Sequence, residues 1–210
     1  MKKWDINFNS SKSYACAFGG SHPSNISVTL ADRPVQSVKY LGCICRSSEI
    51  DVSPLVNFMV HLTIYTIRVV GTRKTEMVSL QLNKAYCLPH LVYCCESWRI
   101  RTSELRAASV AWNSSFRKIF NACWFESTKP LMFYCYCLPL SYIVHQRRFI
   151  YWKKRICSDN VVLQILARRC FNDVRALCNI YQISVDTLMK RSVHYVKDLF
   201  VHHFISSFDL

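Results

Sequence analysis

The feature that most constrains the fold is a change in the spacing of apolar residues near Asp51. Before this point apolar and polar residues alternate, as around Ile26, Val28 and Leu30, which is typical of half-buried strands. After it, apolar residues recur at the intervals of one helix face, and only one further glycine, Gly71, occurs. The sequence therefore predicts an α+β chain with strands first and helices afterwards.

Residues 1–50 are predicted to form a small β-hairpin region of short strands and turns. Alternation indicates strands from Tyr14 to Phe18 and from Ile26 to Leu30, and a third strand from Ser37 to Cys45. Between the last two, Asp32-Arg33-Pro34 is typical of a turn. We expect a β region of this size to be unstable by itself.

Residues 51–165 are predicted to be mostly helical. The clearest helix is expected to begin at Ser103, whose side chain suits an N-cap. Its apolar stripe consists of Leu105, Ala108, Trp112, Phe116, Ile119, Phe120 and Cys123. A second helix is predicted from about Ser141 to Ser158, with an apolar stripe of Tyr142, Phe149, Trp152 and Ile156. A shorter helix covers Val161 to Ala167, and residues 166–210 are predicted as a helical extension without an assigned role.

The charge of the chain is strongly positive. Lys and Arg total 27 against 13 Asp and Glu, which gives a formal net charge of +14. Such an excess favours a polyanionic partner: DNA, RNA or an anionic membrane face. The alternative is a folded domain whose basic surface is solvated and has no polyanionic partner. Between residues 99 and 155 eleven basic residues stand against two acids, Glu104 and Glu126.

A membrane partner is not expected. The uncharged run from Val52 to Ile67 holds Pro54 and His61, and its 16 residues fall short of the roughly 20 that a spanning helix needs. The uncharged run from 130 to 146 is interrupted by Pro139. Because no apolar signal core follows the first residues, we expect an intracellular protein, and the sequence does not distinguish nucleus from cytoplasm.

The twelve cysteines do not have the spacing of a structural zinc site. Cys43-x-Cys45 and Cys135-x-Cys137 are separated by one residue, whereas zinc sites use pairs separated by two to four. His202-His203 is at most half of a site. We therefore expect no metal and cysteines that act as small buried apolar residues. A zinc-binding regulator is the lowest-ranked alternative.

Several segments resemble the reverse transcriptases of non-LTR retrotransposons. Residues Ile6–Ser13 are similar to the family's I-x-F-N-x-x-K-S stretch, and Val38–Gly42 to its V-K-Y-L-G strand. Ala85–Trp98 resembles A-Y-C-x-P-x-L-x-Y-G-x-E-x-W, except that Cys94 replaces the glycine. Segments 111–120, 138–142 and 146–148 continue in the family's order, so the resemblance covers roughly residues 5–165.

The resemblance implies the end of a polymerase palm at residues 1–50 and a thumb-like helical region at 51–165. Tyr40, Leu41 and Gly42 would belong to the strand that supports the primer end. The family's catalytic aspartate pair would precede Lys12, and this sequence contains no two adjacent acids. We therefore expect a fragment that is not an enzyme and needs no cofactor, whereas an intact member would use Mg²⁺ for RNA-directed DNA synthesis. Lys12 is then expected to be a solvated turn residue.

The predicted binding surface lies in the basic, aromatic stretch from Arg147 to Arg155. On a helix, Arg147, Tyr151, Lys154 and Arg155 would lie near one another and could contact phosphates, with the tyrosine packing on a sugar or base. The nucleic-acid-binding residues predicted in full are Arg117, Lys118, Arg147, Arg148, Tyr151, Lys153, Lys154 and Arg155.

The expected function is sequence-independent binding of an RNA–DNA hybrid or DNA, with other polymerase segments as further partners that the resemblance allows. The alternative is a structural or interaction remnant without activity of its own. In that case an unpaired strand such as Ser37 to Cys45 would favour association or aggregation.

Overall fold

A computed structural model describes residues 37–40, 43–46, 50–51, 57, 61, 65, 68, 75–93, 95–96 and 100–208. Predictions for residues 1–36, including Lys12 and the strand from Tyr14 to Phe18, lie outside these residues. The chain divides into two compact units, Met1–Phe58 and Met59–Leu210. Among the described residues, the structure is mostly helical, which confirms the helical part of the predicted fold class.

The described residues of the first unit form three short strands, β1 (Ser37–Tyr40), β2 (Cys43–Arg46) and β3 (Ile50–Asp51). They form one sheet in the order β1-β2-β3, and both pairs are antiparallel. In the first pair Tyr40 lies opposite Cys43. The prediction of one strand from Ser37 to Cys45 is therefore wrong.

The second unit is helical. A first helix, α1 (Glu76–Leu82), continues into a π-helical segment (Asn83–Cys87) and a short α2 (Leu88–Leu91). Two long helices, α3 (Thr102–Ile119) and α5 (Leu140–Ile156), follow, with the short helix α4 (Lys129–Tyr134) between them. The chain then forms α6 (Val161–Arg169), α7 (Phe171–Ile180), α8 (Val185–Lys190) and α9 (Val193–Ser206). No helix among the described residues is both long and apolar enough to span a bilayer.

Helix α3 has the predicted buried face but a different start. Ala108, Trp112 and Phe116 are buried as the spacing predicted. The N-cap is Arg101 instead of Ser103, which lies inside the helix. The backbone N–H of Arg101 donates to Glu104 Oε2 at 2.9 Å, so an acid in the first turn satisfies the N–H of the N-cap residue.

Helix α5 is the centre of the unit, because it packs against α3, α6, α7 and α9. Phe149 and Trp152 are buried as predicted, and Leu140 and Val144 near the start of the helix are buried as well. The Trp152 indole N–H donates to the carbonyl of Ala167 at 2.9 Å, which satisfies its one polar atom inside the core. The basic segment of the chain is therefore part of the element with the most packing partners.

One hydrophobic core joins α5 to every helix that follows it. Its residues come from both sides of residue 165: Phe149, Trp152, Ala167, Val174, Leu177, Cys178, Tyr181, Ile183, Leu188, Val196 and Phe200. Helix α6 follows the predicted stop, since Asn160 caps it by accepting from the N–H of Val162 at 2.9 Å. Helices α7 to α9 occupy the part for which the sequence predicted only a helical extension.

Candidate nucleic-acid interface

The candidate interface is the solvent-facing side of α5 between Arg147 and Arg155. The helix contains five cations and no acid. Its other side is held in the core by Phe149 and Trp152. Because a packed helix is rigid, the basic side chains start from fixed backbone positions. Their burial and hydrogen bonds divide them into two groups.

The first group faces solvent. Arg147 and Lys154 are exposed, and Arg155 is half-buried. The guanidinium of Arg155 lies 3.8 Å from the ring centroid of Tyr151, which is the geometry of a cation–π contact. Residues 147, 151, 154 and 155 lie within one side of a helix, as the spacing predicted. Together they present positive charge beside an aromatic ring.

The second group binds backbone carbonyls. The Nε of half-buried Arg148 donates to the carbonyl of Cys95 at 3.1 Å. The ammonium of half-buried Lys153 donates to the carbonyl of Leu188 at 2.8 Å and to that of Met189. These carbonyls lie in the last turns of α8, where a cation also interacts favourably with the helix dipole. Arg148 and Lys153 therefore hold α5 to neighbouring segments.

The two predicted residues outside α5 lie on α3. Arg117 donates through Nε and Nη2 to the carbonyl of Glu126, at 3.2 and 2.9 Å. The Glu126 carboxylate in turn accepts from the N–H of Cys123 at 2.9 Å. Arg117 thus stabilises the turn that follows α3, whereas Lys118 is exposed.

A half-buried histidine, His145, adjoins the basic face without adding charge to it. The Nδ1 of His145 and the hydroxyl of Tyr181 are hydrogen-bonded at 2.7 Å. Burial, and then the nearby positive charge of Arg148, lower the pKa of His145 from 6.5 to about 4. The imidazole is therefore neutral at neutral pH, and the charge of this face comes from Arg and Lys alone.

The Cys95 thiol beside Arg148 is also un-ionised. Burial is the largest cause that raises its pKa, to about 12, and the charge of Glu96 adds to it. The thiol donates to Glu96 Oε2 at 3.3 Å. Arg147 and Arg148 act in the opposite direction without overcoming burial. This cysteine is consequently inert as a nucleophile or metal ligand.

The other cysteines and histidines give a mixed outcome for the predictions. Of the described cysteines, four are buried as expected, namely Cys87, Cys95, Cys137 and Cys178. Cys123, Cys157 and Cys170 are exposed, contrary to the expectation of burial. His203 binds the hydroxyl of Tyr142 at 3.1 Å. Within the described ranges, no group of three or more His, Cys, Asp or Glu is arranged to hold a metal ion.

The strand predicted to support a primer is described only in part. Tyr40 is the last residue of β1, whereas Leu41 and Gly42 lie outside the described residues. Two highly exposed aromatic residues were not predicted as site residues. They are Tyr134, the last residue of α4, and Tyr136, two residues later. The available signal was the aromatic run from 133 to 136, read only as part of an uncharged segment.

No protein-family model, curated protein or solved structure matches the chain. The resemblance to non-LTR reverse transcriptases therefore depends on the sequence segments alone and stays a prediction.

Proposed function

We propose that this chain binds an RNA–DNA hybrid or a DNA duplex through its phosphates, without sequence preference. In this proposal residues 1–50 are the end of a polymerase palm, and the helical unit is the thumb-like part of a non-LTR reverse transcriptase. The observation that carries the proposal is the solvent-facing group Arg147, Tyr151, Lys154 and Arg155 on a helix anchored in the core.

The spacing of the cations suits a phosphate backbone. Arg147 and Lys154 are seven residues apart, which corresponds to roughly 10 Å along a helix. The phosphates of one strand recur about every 3.4 Å along the duplex axis, so both side chains can reach phosphates of the same strand. The absence of acids from α5 leaves this attraction unopposed within the helix.

The same group is poorly suited to reading bases. Base readout depends on hydrogen-bonding side chains that enter a groove, whereas contacts to phosphate and sugar fix position without sequence information. Tyr151 is in contact with Arg155, so its ring supports a cation at the surface. We therefore expect shape and charge to determine the partner.

Binding without polymerisation is the consequence of the residue content. Reverse transcription needs clustered carboxylates that hold two metal ions, and no adjacent acids occur in this sequence. The proposal consequently assigns no catalytic residue and no cofactor to these residues. Mg²⁺ would be expected only where other polymerase segments supply the acids.

The test is the binding of a blunt RNA–DNA hybrid across a salt series by fluorescence anisotropy. The variant is R147E/K154E, since both side chains are exposed and neither holds the core together. The matched control is R106E/R175E, which changes the net charge equally at exposed sites on α3 and α7. We expect the α5 variant to lose most affinity and its log–log salt slope to fall by about 2.

Equal losses in the two variants would show that only net charge matters, which would contradict an interface on α5. A second hybrid of unrelated sequence tests the predicted lack of sequence preference. Affinities that differ more than about tenfold between the two hybrids would contradict backbone recognition, because one base mismatch alone costs specific binders that much.

A second candidate function, association with another protein, is favoured by the surface of α6. Val161, Val162, Ile165 and Leu166 are all exposed, although they form the apolar part of the helix. An exposed apolar stripe on a helix is a common protein contact. Sedimentation as a compact monomer over a wide concentration range would contradict self-association, and V162E would be expected to abolish any association seen.

A further inference from the structure

A groove of about 280 Å³ lies between the end of α4 and helix α9. Its lining is almost wholly apolar. One wall comes from the chain after α4 and the other from Val201, Phe204 and Ile205 of α9. The ring of Phe208 contacts the rings of Phe133 and Phe204, at centroid distances of 5.3 and 5.1 Å, and so joins the two walls.

Two tyrosines on the first wall face solvent. Tyr134 is 77% exposed and Tyr136 is 97% exposed. Neither ring gains stability from burial. Both line the groove, so a flat ligand entering it would lie against their faces or edges.

The backbone of Tyr136 makes its presence harder to explain by folding alone. Its φ is 51°, in the left-handed region, where a helix-terminating residue is usually glycine or asparagine. The N–H of Cys137 donates to the carbonyl of Met132 at 2.8 Å, which is the bond of a glycine-type helix end. A tyrosine here costs conformational energy and buries no surface. Gln182 follows α7 with the same φ, so what distinguishes Tyr136 is its large ring, which is almost wholly exposed beside the groove and can contact a ligand.

The wall that carries these tyrosines is firmly held. The Lys84 ammonium donates to the carbonyl of Cys135 at 3.0 Å, and the indole N–H of Trp112 donates to the carbonyl of Leu138 at 3.2 Å. The groove therefore exists before any ligand binds, which limits the ordering cost of binding.

We propose that this groove receives an unpaired nucleobase from a strand whose phosphates lie on α5. This inference rests on the proposed function, because the strand that supplies the base is the one whose phosphates bind α5. Exposed aromatic rings stack on the faces of bases whatever the sequence. The formal net charge of +14 favours a polyanionic ligand over an apolar peptide. The ring that enters the groove is therefore expected to be a base of a nucleic acid.

The dimensions agree with one base. The volume lies just below the range of about 300–1,000 Å³ typical of pockets for drug-sized ligands, so the groove suits a single ring system. Leu138 of the groove wall lies two residues before α5, and Arg147 follows roughly 10 Å along that helix. A few unpaired nucleotides beyond a duplex on α5 would span this distance.

The experiment compares a blunt RNA–DNA hybrid with the same hybrid carrying a single-stranded extension of about six nucleotides, labelled with 2-aminopurine. For the unmodified chain, we expect the extension to raise affinity roughly fivefold or more and 2-aminopurine fluorescence to be quenched. Y134A/Y136A should remove both effects and leave blunt-hybrid affinity unchanged. Y134F/Y136F should retain both, because the ring and not the hydroxyl does the stacking.

The control variant is W124A, since Trp124 is 84% exposed but does not line the groove. It should behave like the unmodified chain, and circular dichroism checks that each variant folds. An extension effect that survives in Y134A/Y136A, or is lost equally in W124A, overturns the proposal. So does a change in the self-association of Y134A/Y136A without nucleic acid, which would make the groove a protein contact.

Binding of the blunt hybrid by the unmodified chain tests the proposed function separately from the groove. If the unmodified chain does not bind it, a free single strand with 2-aminopurine decides the groove alone. Quenching by the unmodified chain and not by Y134A/Y136A supports the groove, whereas no quenching by either overturns it.

Discussion

Removing the ammonium of Lys153 is expected to weaken folding, whereas removing that of its neighbour Lys154 is expected to weaken nucleic-acid binding. The two residues are adjacent in a basic run, and the sequence alone does not distinguish their roles. In the structure Lys153 donates to the carbonyls of Leu188 and Met189, and Lys154 is exposed. The variants K153M and K154M separate the two roles, because methionine keeps the apolar stem and removes the charge.

The magnitude follows from the bonds that are lost. Hydrogen bonds to a charged group contribute about 1.5–3 kcal/mol each when buried. Lys153 is only half-buried, and the freed carbonyls of Leu188 and Met189 can be hydrated in part. We therefore expect K153M to lower the free energy of unfolding by about 1.5–2 kcal/mol in total. An exposed substitution such as K154M should change it by less than about 0.5 kcal/mol.

Two measurements test the pair. Urea unfolding followed by circular dichroism gives the stability difference, and anisotropy with a blunt hybrid gives the salt dependence of binding. K154M should reduce the log–log salt slope by about 1, and K153M should leave it unchanged when measured on folded protein. Equal stabilities of the two variants would refute the structural role of Lys153. A slope that falls in K153M and not in K154M would refute the division of α5 into two groups.

Three further predictions concern the core and its electrostatics. Because the pKa of His145 is lowered to about 4, the unfolded chain binds a proton between pH 6.5 and 4 that the folded chain does not, so stability should fall over that window as pH drops. The loss of stability should be on the order of 2 kcal/mol after allowance for partial exposure of the ring. In urea unfolding, H145N should lack this part of the pH dependence. An identical pH dependence in H145N and the unmodified chain would contradict the role of His145. Phe149 is fully buried and its ring centroid lies 5.8 Å from that of Phe200. F149A should therefore lower the free energy of unfolding by about 3–5 kcal/mol in thermal unfolding. The control is I150A at a half-buried position, and equal losses in the two variants would contradict the packing. N160A should cost about 1 kcal/mol by loss of the α6 cap, whereas the exposed D159A should cost little, and equal effects in urea unfolding would argue against the cap.

The helical spacing of apolar residues was enough to predict the main buried faces. Ala108, Trp112 and Phe116 on α3 and Phe149 and Trp152 on α5 are buried as that spacing requires. This succeeds because burial of one stripe dominates the free energy of a packed helix, whichever partner covers it. The spacing does not identify that partner, and the core shared by α5 with α6 to α9 was not predicted.

The errors have local physical causes. Ser103 is a good N-cap residue, but Glu104 can bind the free N–H of Arg101, and the helix starts earlier as a result. The strand predicted from Ser37 to Cys45 is divided into β1 and β2, in which Tyr40 pairs with Cys43. Single-residue preferences do not decide where a helix starts when two neighbouring residues can each satisfy a different free backbone N–H near its end.

The roles of Arg148 and Lys153 could not have been predicted from sequence, because their partners are far away along the chain. Cys95 and Leu188 are separated from them by 53 and 35 residues. Tyr134 and Tyr136 illustrate the reverse case. Their aromatic character was visible in the sequence, but their exposure and the positive φ of Tyr136 are properties of the folded chain.

The division of the cations on α5 limits how strongly this face can bind by itself. Of its five cations, Arg148 and Lys153 are hydrogen-bonded to backbone carbonyls, which leaves Arg147, Lys154 and Arg155 for phosphates. Three phosphate contacts correspond to a log–log salt slope of about 3, far below the value of about 10 found for tight DNA-binding proteins. A measured slope well above 3 would therefore mean that cations outside α5, such as Lys118, also reach the duplex. A slope near 3 would mean that tight binding requires the other polymerase segments.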